Sequence, residues 1–156
     1  MLKIVTKILV FSFFFTVMGG YSIATEKGVV TYEKDVKKII SEKCLFCHGS
    51  DSPTIDEFDK DKEGFKKKMK GPRMDTYQNL VIFVNGKDAG AVMRRLDDGK
   101  NTKDGKPGNM YQNLGKTDNE RAKNLEVIKK WVSNWTLKRK KELTKDELKA
   151  IKAIEK

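Results

Sequence analysis

The sequence predicts a protein built from helices and loops, because apolar side chains recur at helical spacing in segments that begin with a capping residue. The first such segment begins at Thr31 and has Asp35 in its first turn. Its apolar face consists of Val36, Ile39 and Ile40. A second segment begins near residue 117, whereas residues 99–107 are rich in the loop formers Gly, Lys, Asp and Asn.

The middle of the chain predicts shorter elements. Residues 49–71 are polar and charged, and we expect a loop with one short helix near Phe65. Residues 77–83 predict a helix ended by Asn85-Gly86, although a strand over 80–84 is the alternative, because a short apolar run cannot be assigned by periodicity alone. A further short helix is expected over 91–96.

Two later helices begin with a capping-box pattern, in which Glu follows Thr after three positions. Thr117 and Glu120 begin the first, whose stripe we interpret as core packing. The stripe consists of Leu125, Ile128, Trp131, Val132 and Trp135. Thr144 and Glu147 begin the second, within a basic amphipathic extension at 137–156. Such an extension could contact a membrane surface or a partner, or fold back on its own domain.

Residues 1–24 have the parts of an export signal. Lys3 and Lys7 give a positive start, an apolar stretch follows, and Ser22-Ile23-Ala24 offers a cleavage site between small residues. The apolar stretch is shorter than the roughly 20 residues that span a bilayer. We therefore expect a periplasmic protein that begins near Thr25. The alternative is an uncleaved anchor on the periplasmic side of the membrane.

Charge indicates the kind of partner. Lys and Arg number 33 against 22 Asp and Glu, giving a formal net charge of +11. Loss of the two lysines of the signal would leave +9. A surplus of this size steers a protein toward acidic partner proteins or anionic membranes, and export argues against nucleic acid. Charged residues are 35% of the chain and apolar residues only 38%, so a buried apolar cofactor would explain how a core forms.

The chain has two Cys and one His, and all three lie in the segment Cys44-Leu45-Phe46-Cys47-His48. CxxCH is the attachment signature of c-type haem. Two thiols three residues apart on a helical turn can add to the two vinyl groups of a porphyrin, and the adjacent imidazole then lies beneath the iron. One covalently attached haem c, with its iron, is therefore predicted at Cys44, Cys47 and His48.

Other uses of these residues are disfavoured. A structural zinc site needs four N or S ligands, and the chain offers three. A thioredoxin-like pair would need a βαβ pattern around it. A disulfide between Cys44 and Cys47 would close a very short loop and contribute little stability. The single His also excludes a second imidazole from this chain, so the sixth iron position is Met, a weaker ligand such as Lys or Asn, water, or vacant.

With this motif, a methionine at 110 in a Gly/Pro loop and an aromatic-bearing last helix, the sequence resembles a class I cytochrome c over residues 31–135. The resemblance implies an all-α, cytochrome c-like fold of about four to five helices around one covalently bound haem. In that fold the helix at 31–44 crosses the helix at 117–136, and the domain occupies 25–136.

The resemblance also implies a methionine as the distal ligand, and Met110 matches best, followed by Met93, Met74 and Met69. A thioether is soft and neutral, which suits iron in both oxidation states. Family members place a proline carbonyl near the ring N–H of the proximal His. Pro72 matches that residue, and Pro53 is the alternative.

Arginines near these segments are candidates for the haem propionates, which a guanidinium can bind through two hydrogen bonds. They are Arg73, Arg94 and Arg95. Each could equally be a solvated surface residue.

These observations predict an electron carrier without catalytic residues, because no second His exists to act as a base. The expected partners are acidic redox proteins, including membrane respiratory complexes. Two alternatives stay open: a haem enzyme or gas-binding protein with a vacant sixth position, and a fixed subunit of a larger respiratory complex.

Overall fold

The structure, a computed structural model, describes residues 28–156, so the predicted export signal at 1–24 lies outside the described residues. All regular elements of the described part are helical, which confirms the all-α class. The α-helices are α1 (Lys37–Lys43), α2 (Leu45–His48), α3 (Ile55–Lys60), α4 (Lys62–Lys67), α5 (Tyr77–Val81), α6 (Ala91–Leu96), α7 (Asp118–Val132) and α8 (Lys145–Ala150). Among residues 28–156, no helix has the length and apolar character needed to cross a membrane.

The first helical segment opens with a wider, π-helical turn at Tyr32–Val36 that continues into α1. Thr31 caps it as predicted, because its hydroxyl accepts a hydrogen bond from the Lys34 N–H at 3.4 Å. The Asp35 carboxylate completes the cap by accepting a hydrogen bond from the Thr31 N–H at 2.8 Å. The predicted apolar face is buried, with Val36 fully enclosed.

The core lies where this segment packs against α7. Four residues of the predicted stripe are buried as expected: Leu125, Ile128, Trp131 and Val132. The fifth, Trp135, does not belong to it, because α7 ends at Val132 and not at 136; Trp135 is half-buried, and its Nε1–H donates to the Asp97 carboxylate at 2.7 Å. The rings of Tyr32 and Trp131 meet with centroids 6.2 Å apart. A Lys43–Glu120 ion pair of 2.5 Å joins the end of α1 to the beginning of α7.

The cap of α7 differs from the predicted capping box. The Thr117 hydroxyl accepts from the Glu120 N–H at 3.2 Å, as expected. The Glu120 carboxylate, however, accepts from the Lys116 N–H at 2.7 Å, one residue earlier than the box requires. Its bond to Lys43 accounts for the difference, because one carboxylate serves both the cap and the contact between helices.

Residues 49–71 contain two short helices, α3 and α4, where the sequence predicted one. The missed helix has a complete capping box, in which Thr54 and Glu57 each accept from the other's N–H. The rings of Phe58 and Phe65 stack at 6.1 Å and hold the two helices together. The strand alternative over 80–84 is wrong, since this segment continues from α5 into a series of turns.

The segment at 137–156 is helical only at a 3₁₀ turn, Lys140–Glu142, and at α8, whose capping box at Thr144 and Glu147 is complete. Residues 151–156 are extended and lie against the start of the first helix. The Ile154 carbonyl accepts from the Tyr32 N–H at 2.8 Å and from Trp131 Nε1–H at 2.9 Å. The segment is therefore packed on the same core as the rest of the described chain.

Candidate functional site

The CxxCH segment forms one compact turn at the end of α1. The N–H groups of Cys47 and His48 both donate to the Cys44 carbonyl, at 3.2 and 3.0 Å. This arrangement brings two free, half-buried thiols and one imidazole onto a single turn. It is the donor set that two thioether bonds and one iron ligand require.

The His48 ring is held by the extended segment at 70–74, which follows α4. Nδ1 lies 2.6 Å from the Pro72 carbonyl oxygen, to which it can donate its proton. Two backbone bonds fix that segment: Gly71 N–H donates to the Cys47 carbonyl at 2.7 Å, and Met74 N–H donates to the His48 carbonyl at 2.9 Å. The Pro53 carbonyl, the alternative partner, accepts instead from the Arg73 N–H at 2.8 Å.

This environment favours the neutral imidazole that a metal binds. Burial lowers the pKa of His48, and the positive charge of Arg95 lowers it further, while the Pro72 carbonyl acts in the opposite direction. With Nδ1 engaged, Nε2 is the nitrogen left to bind iron. Burial, together with the neighbouring Cys47, raises the pKa of the Cys44 thiol to about 11, so this sulfur is protonated at neutral pH.

Gly71 leaves room for the imidazole. A Cβ at this position would overlap the His48 ring, with Cε1 as the nearest atom. We expect Gly71→Ala to displace the ring and lower the stability of the holoprotein by about 1–3 kcal/mol. Thermal unfolding and the ferric absorption spectrum check this prediction.

Gly28→Ala is the matched control for that substitution, because a Cβ at Gly28 meets no atom within 4 Å. Its effect is expected to stay within about 0.5 kcal/mol. A Gly71→Ala protein with an unchanged spectrum and unchanged unfolding would show that the ring is not confined by this contact.

The loop that carries Met110 is attached to the end of α6. Met110 N–H donates to the Arg95 carbonyl at 2.9 Å, and Gly108 N–H donates to the Asp97 carbonyl at 2.8 Å. Gly108 must be a glycine here, because a Cβ would overlap the carbonyl oxygens of Arg94 and Arg95. The two bonds satisfy carbonyls that a helix end leaves free. Met110 itself is half-buried, and its sulfur lies 3.4 Å from Asn113 Nδ2.

The other candidate methionines, Met93, Met69 and Met74, differ from Met110 in exposure or position. Met93 is fully buried, and its sulfur lies 3.4 Å from the Thr136 N–H. Met69 is 64% exposed. Met74 is half-buried, but it lies in the segment at 70–74 that holds His48, and its N–H donates to the His48 carbonyl.

The structure separates the three candidate arginines. The Arg73 guanidinium makes a two-point ion pair with Asp75, through Nε at 2.8 Å and Nη2 at 2.9 Å. Arg94 and Arg95, by contrast, line a cavity of about 670 Å³ beside α6, together with Asn109 of the Met110 loop. Arg139, from the segment after α7, lines the same cavity, and no local pattern in the sequence predicts this. Propionate binding by any of these arginines stays a prediction.

Comparisons with known proteins agree with this geometry. Residues 31–154 match a family model described as PccH cytochrome c. The solved structure of the monohaem cytochrome PccH from Geobacter sulfurreducens is similar, with 49% sequence identity and a TM-score of 0.76, covering 81% of this chain and 99% of that one. A search of curated proteins found no match. Because the family model spans most of the chain and the donor set fits one haem c, the protein is a monohaem c-type cytochrome of the PccH family.

Proposed function

We propose that this protein is a periplasmic electron carrier in which His48 and Met110 are the axial ligands of the haem attached through Cys44 and Cys47. Membership in a monohaem cytochrome family supports the coarser role of a haem-based electron carrier. Haem c supplies a one-electron Fe(III)/Fe(II) couple. The protein's own contribution is to hold both ligands in place, so that no substrate reaches the metal.

One residue carries the argument for this ligand pair. The guanidinium of Arg95 is close enough to His48 to lower its pKa, and the carbonyl of the same residue accepts from the Met110 N–H. Arg95 thus links the two candidate ligands: its charge acts on the imidazole of His48, and its backbone carries the Met110 loop. The side chain of Met110 is half-buried and so keeps an accessible face.

Exposure and position argue against the remaining methionines. A side chain without accessible surface, such as Met93, has no face that could meet a cofactor. The backbone of Met74 is bonded to the His48 carbonyl, so Met74 belongs to the segment that would hold the proximal ligand and not to the loop that would supply the second one. Met69 lies at an exposed helix end. These differences support Met110 as the distal ligand.

The absorption spectrum of the ferric holoprotein tests the proposal. Methionine ligation gives a low-spin spectrum with a weak long-wavelength band from sulfur-to-iron charge transfer. High-spin features without that band, together with immediate binding of carbon monoxide by the ferrous protein, would instead indicate a vacant sixth position. That outcome would favour a gas-binding protein or a haem enzyme over a carrier.

The net charge of +9 that would remain after removal of the signal supports acidic redox proteins as partners, including subunits of membrane respiratory complexes. Small redox reagents of known charge can serve as probes. We expect the rate of reduction by anionic Fe(II)-EDTA to fall about three- to tenfold as ionic strength rises from roughly 10 to 200 mM. Stopped-flow absorbance measures this rate.

A cationic reductant, hexaammineruthenium(II), is the control for that experiment. Its reaction should accelerate over the same range, because salt screens repulsion as well as attraction. Rates that do not depend on salt for either reagent would contradict electrostatic steering at the site of electron transfer.

Export and membrane contact belong to the same proposal. Leu148 of α8 and the preceding Leu143 pack against the core, so peripheral membrane contact through 137–156 would rely on the exposed lysines of this segment. Expression of the full chain followed by N-terminal sequencing tests export, with a mature start near Thr25 as the expected result. Co-sedimentation with vesicles rich in anionic phosphatidylserine tests membrane contact, and high salt should abolish it.

A further inference from the structure

Asp97 is a fully buried carboxylate at the end of α6, about 50 residues after the haem-attachment cysteines. Its side chain accepts hydrogen bonds from the Gly99 N–H at 2.8 Å, from Asn101 Nδ2–H at 2.8 Å and from Trp135 Nε1–H at 2.7 Å. Burial by itself would raise the pKa of Asp97, but these donors outweigh it and hold the pKa below its usual value. The group is therefore an ionised, well-bonded carboxylate inside the protein.

The bonds of Asp97 close the loop that leads to Met110. The carboxylate fixes the first turn of the loop, at Gly99 and Asn101, and the backbone carbonyl of the same residue accepts from the Gly108 N–H at 2.8 Å. Residue 108 lies only two positions before Met110. Asp97 thus holds both the beginning and the end of the loop 97–108.

The third donor connects this loop to α7, the helix that packs against the first helical segment. Trp135 follows α7, and the chain turns sharply between them at Ser133, where φ is +60° and the Asn134 N–H donates to the Val132 carbonyl at 2.7 Å. A positive φ is unfavourable for serine, so the turn is strained. This strained turn is what brings the Trp135 indole N–H to Asp97.

We propose that Asp97 is a positioning residue for the distal ligand: by binding the loop turn and the Trp135 indole together, it holds Met110 at the iron. This inference rests on the proposed function, since it takes Met110 as the axial ligand. Asp97 does not contact the ligand itself and acts only through the loop. Its removal should therefore increase the fraction of molecules in which the Met110 loop is displaced.

Competition with free imidazole measures that fraction. Imidazole binds ferric iron only where Met110 has left, so its apparent affinity rises in proportion to the population of the displaced loop. In Asp97→Asn an amide NH₂ group takes the place of one carboxylate oxygen. This group cannot accept the hydrogen bonds that the oxygen accepted, and it points at N–H donors. We expect imidazole to bind this variant about tenfold more tightly than the wild type, with partial loss of the sulfur-to-iron band.

Trp135→Phe is the second variant, in case Asp97→Asn yields too little holoprotein. It removes one donor to Asp97 and keeps an aromatic ring, and about threefold tighter imidazole binding is expected. Two controls separate other causes. Asp104→Asn changes the same charge on the exposed part of the loop, where the carboxylate accepts only from the Lys106 N–H. Ile151→Ala removes a buried side chain from the tail and none of the groups that donate to Asp97. Neither control should change imidazole binding.

The outcomes distinguish this inference from the function beneath it. A wild-type ferric protein without the sulfur-to-iron band would remove Met110 as a ligand and the inference with it. A wild type with the band, and Asp97→Asn or Trp135→Phe proteins that bind imidazole no more tightly, would overturn the positioning role alone. Equal tightening in Ile151→Ala would also overturn it, because the effect would then follow global stability.

Discussion

Replacing Met110 by alanine is expected to abolish the sulfur-to-iron band of the ferric protein and to lower the reduction potential by on the order of 100 mV. The physical reason is the preference of a neutral thioether for Fe(II), which carries less charge than Fe(III). With the thioether replaced by water, the ferric state gains relative stability. Protein-film or solution voltammetry measures the potential, and the spectrum is recorded on the same sample.

Met93→Leu is the matched control for this substitution. It removes a different methionine sulfur, at a fully buried site, and nearly preserves the volume of the side chain. The band and the potential should be unchanged. Loss of the band in Met93→Leu, with its retention in Met110→Ala, would exchange the roles of the two residues and contradict the proposed ligand pair.

The haem-attachment turn and most helix starts could be predicted because they depend on neighbours in sequence. The spacing of Cys44, Cys47 and His48 is itself the geometry of one helical turn. The caps at Thr31 and Thr144 are local as well, since a hydroxyl reaches an N–H three residues away in any helix. The helix at Ile55–Lys60 was missed although Thr54 and Glu57 carried the same signal, because the polar composition of the segment masked it.

Features set by distant contacts were beyond such reasoning. Glu120 departs from its capping box because Lys43, 77 residues away, competes for the carboxylate. Asp97 lies in an Asp-Asp-Gly sequence that predicts only a turn, and its bond to Trp135 links residues 38 positions apart. No local pattern reports which backbone or side chain a buried carboxylate will meet. Likewise, the packing of 137–156 depends on where the first helix begins.

The extended end of the chain, 151–156, provides acceptors that the start of the first helix would otherwise lack. Besides the two bonds to the Ile154 carbonyl, the Glu155 carbonyl accepts from the Glu33 N–H at 3.0 Å, and the Ala153 carbonyl accepts from the Tyr77 hydroxyl at 2.5 Å. The side chain of Ile151 is 3% exposed. Deleting these six residues would leave donors of the first helix unpaired and expose the part of the core around Trp131 to water.

We expect a protein that ends at Ala150 to lose about 6–8 kcal/mol of unfolding free energy. Burial of Ile151 accounts for roughly 2–4 kcal/mol and each lost hydrogen bond for about 1 kcal/mol. A loss of this size is a large part of the roughly 5–15 kcal/mol that stabilises a domain, and it should lower the melting temperature by about 15 °C or more. Thermal unfolding followed by far-ultraviolet circular dichroism measures the change. Unfolding at the temperature of the full chain would show that the segment is dispensable.

Two single substitutions in the same segment separate side-chain burial from the backbone bonds. Ile151→Ala removes a buried side chain, whereas Ile154→Ala removes one that is 40% exposed and leaves its carbonyl, which binds Tyr32 and Trp131, in place. We expect a loss of about 2–4 kcal/mol for the first and under about 1 kcal/mol for the second. If Ile154→Ala were as damaging as Ile151→Ala, burial of the tail would not follow the exposure of its side chains. If both were small while deletion was severe, the backbone bonds would carry the stability of this end of the fold.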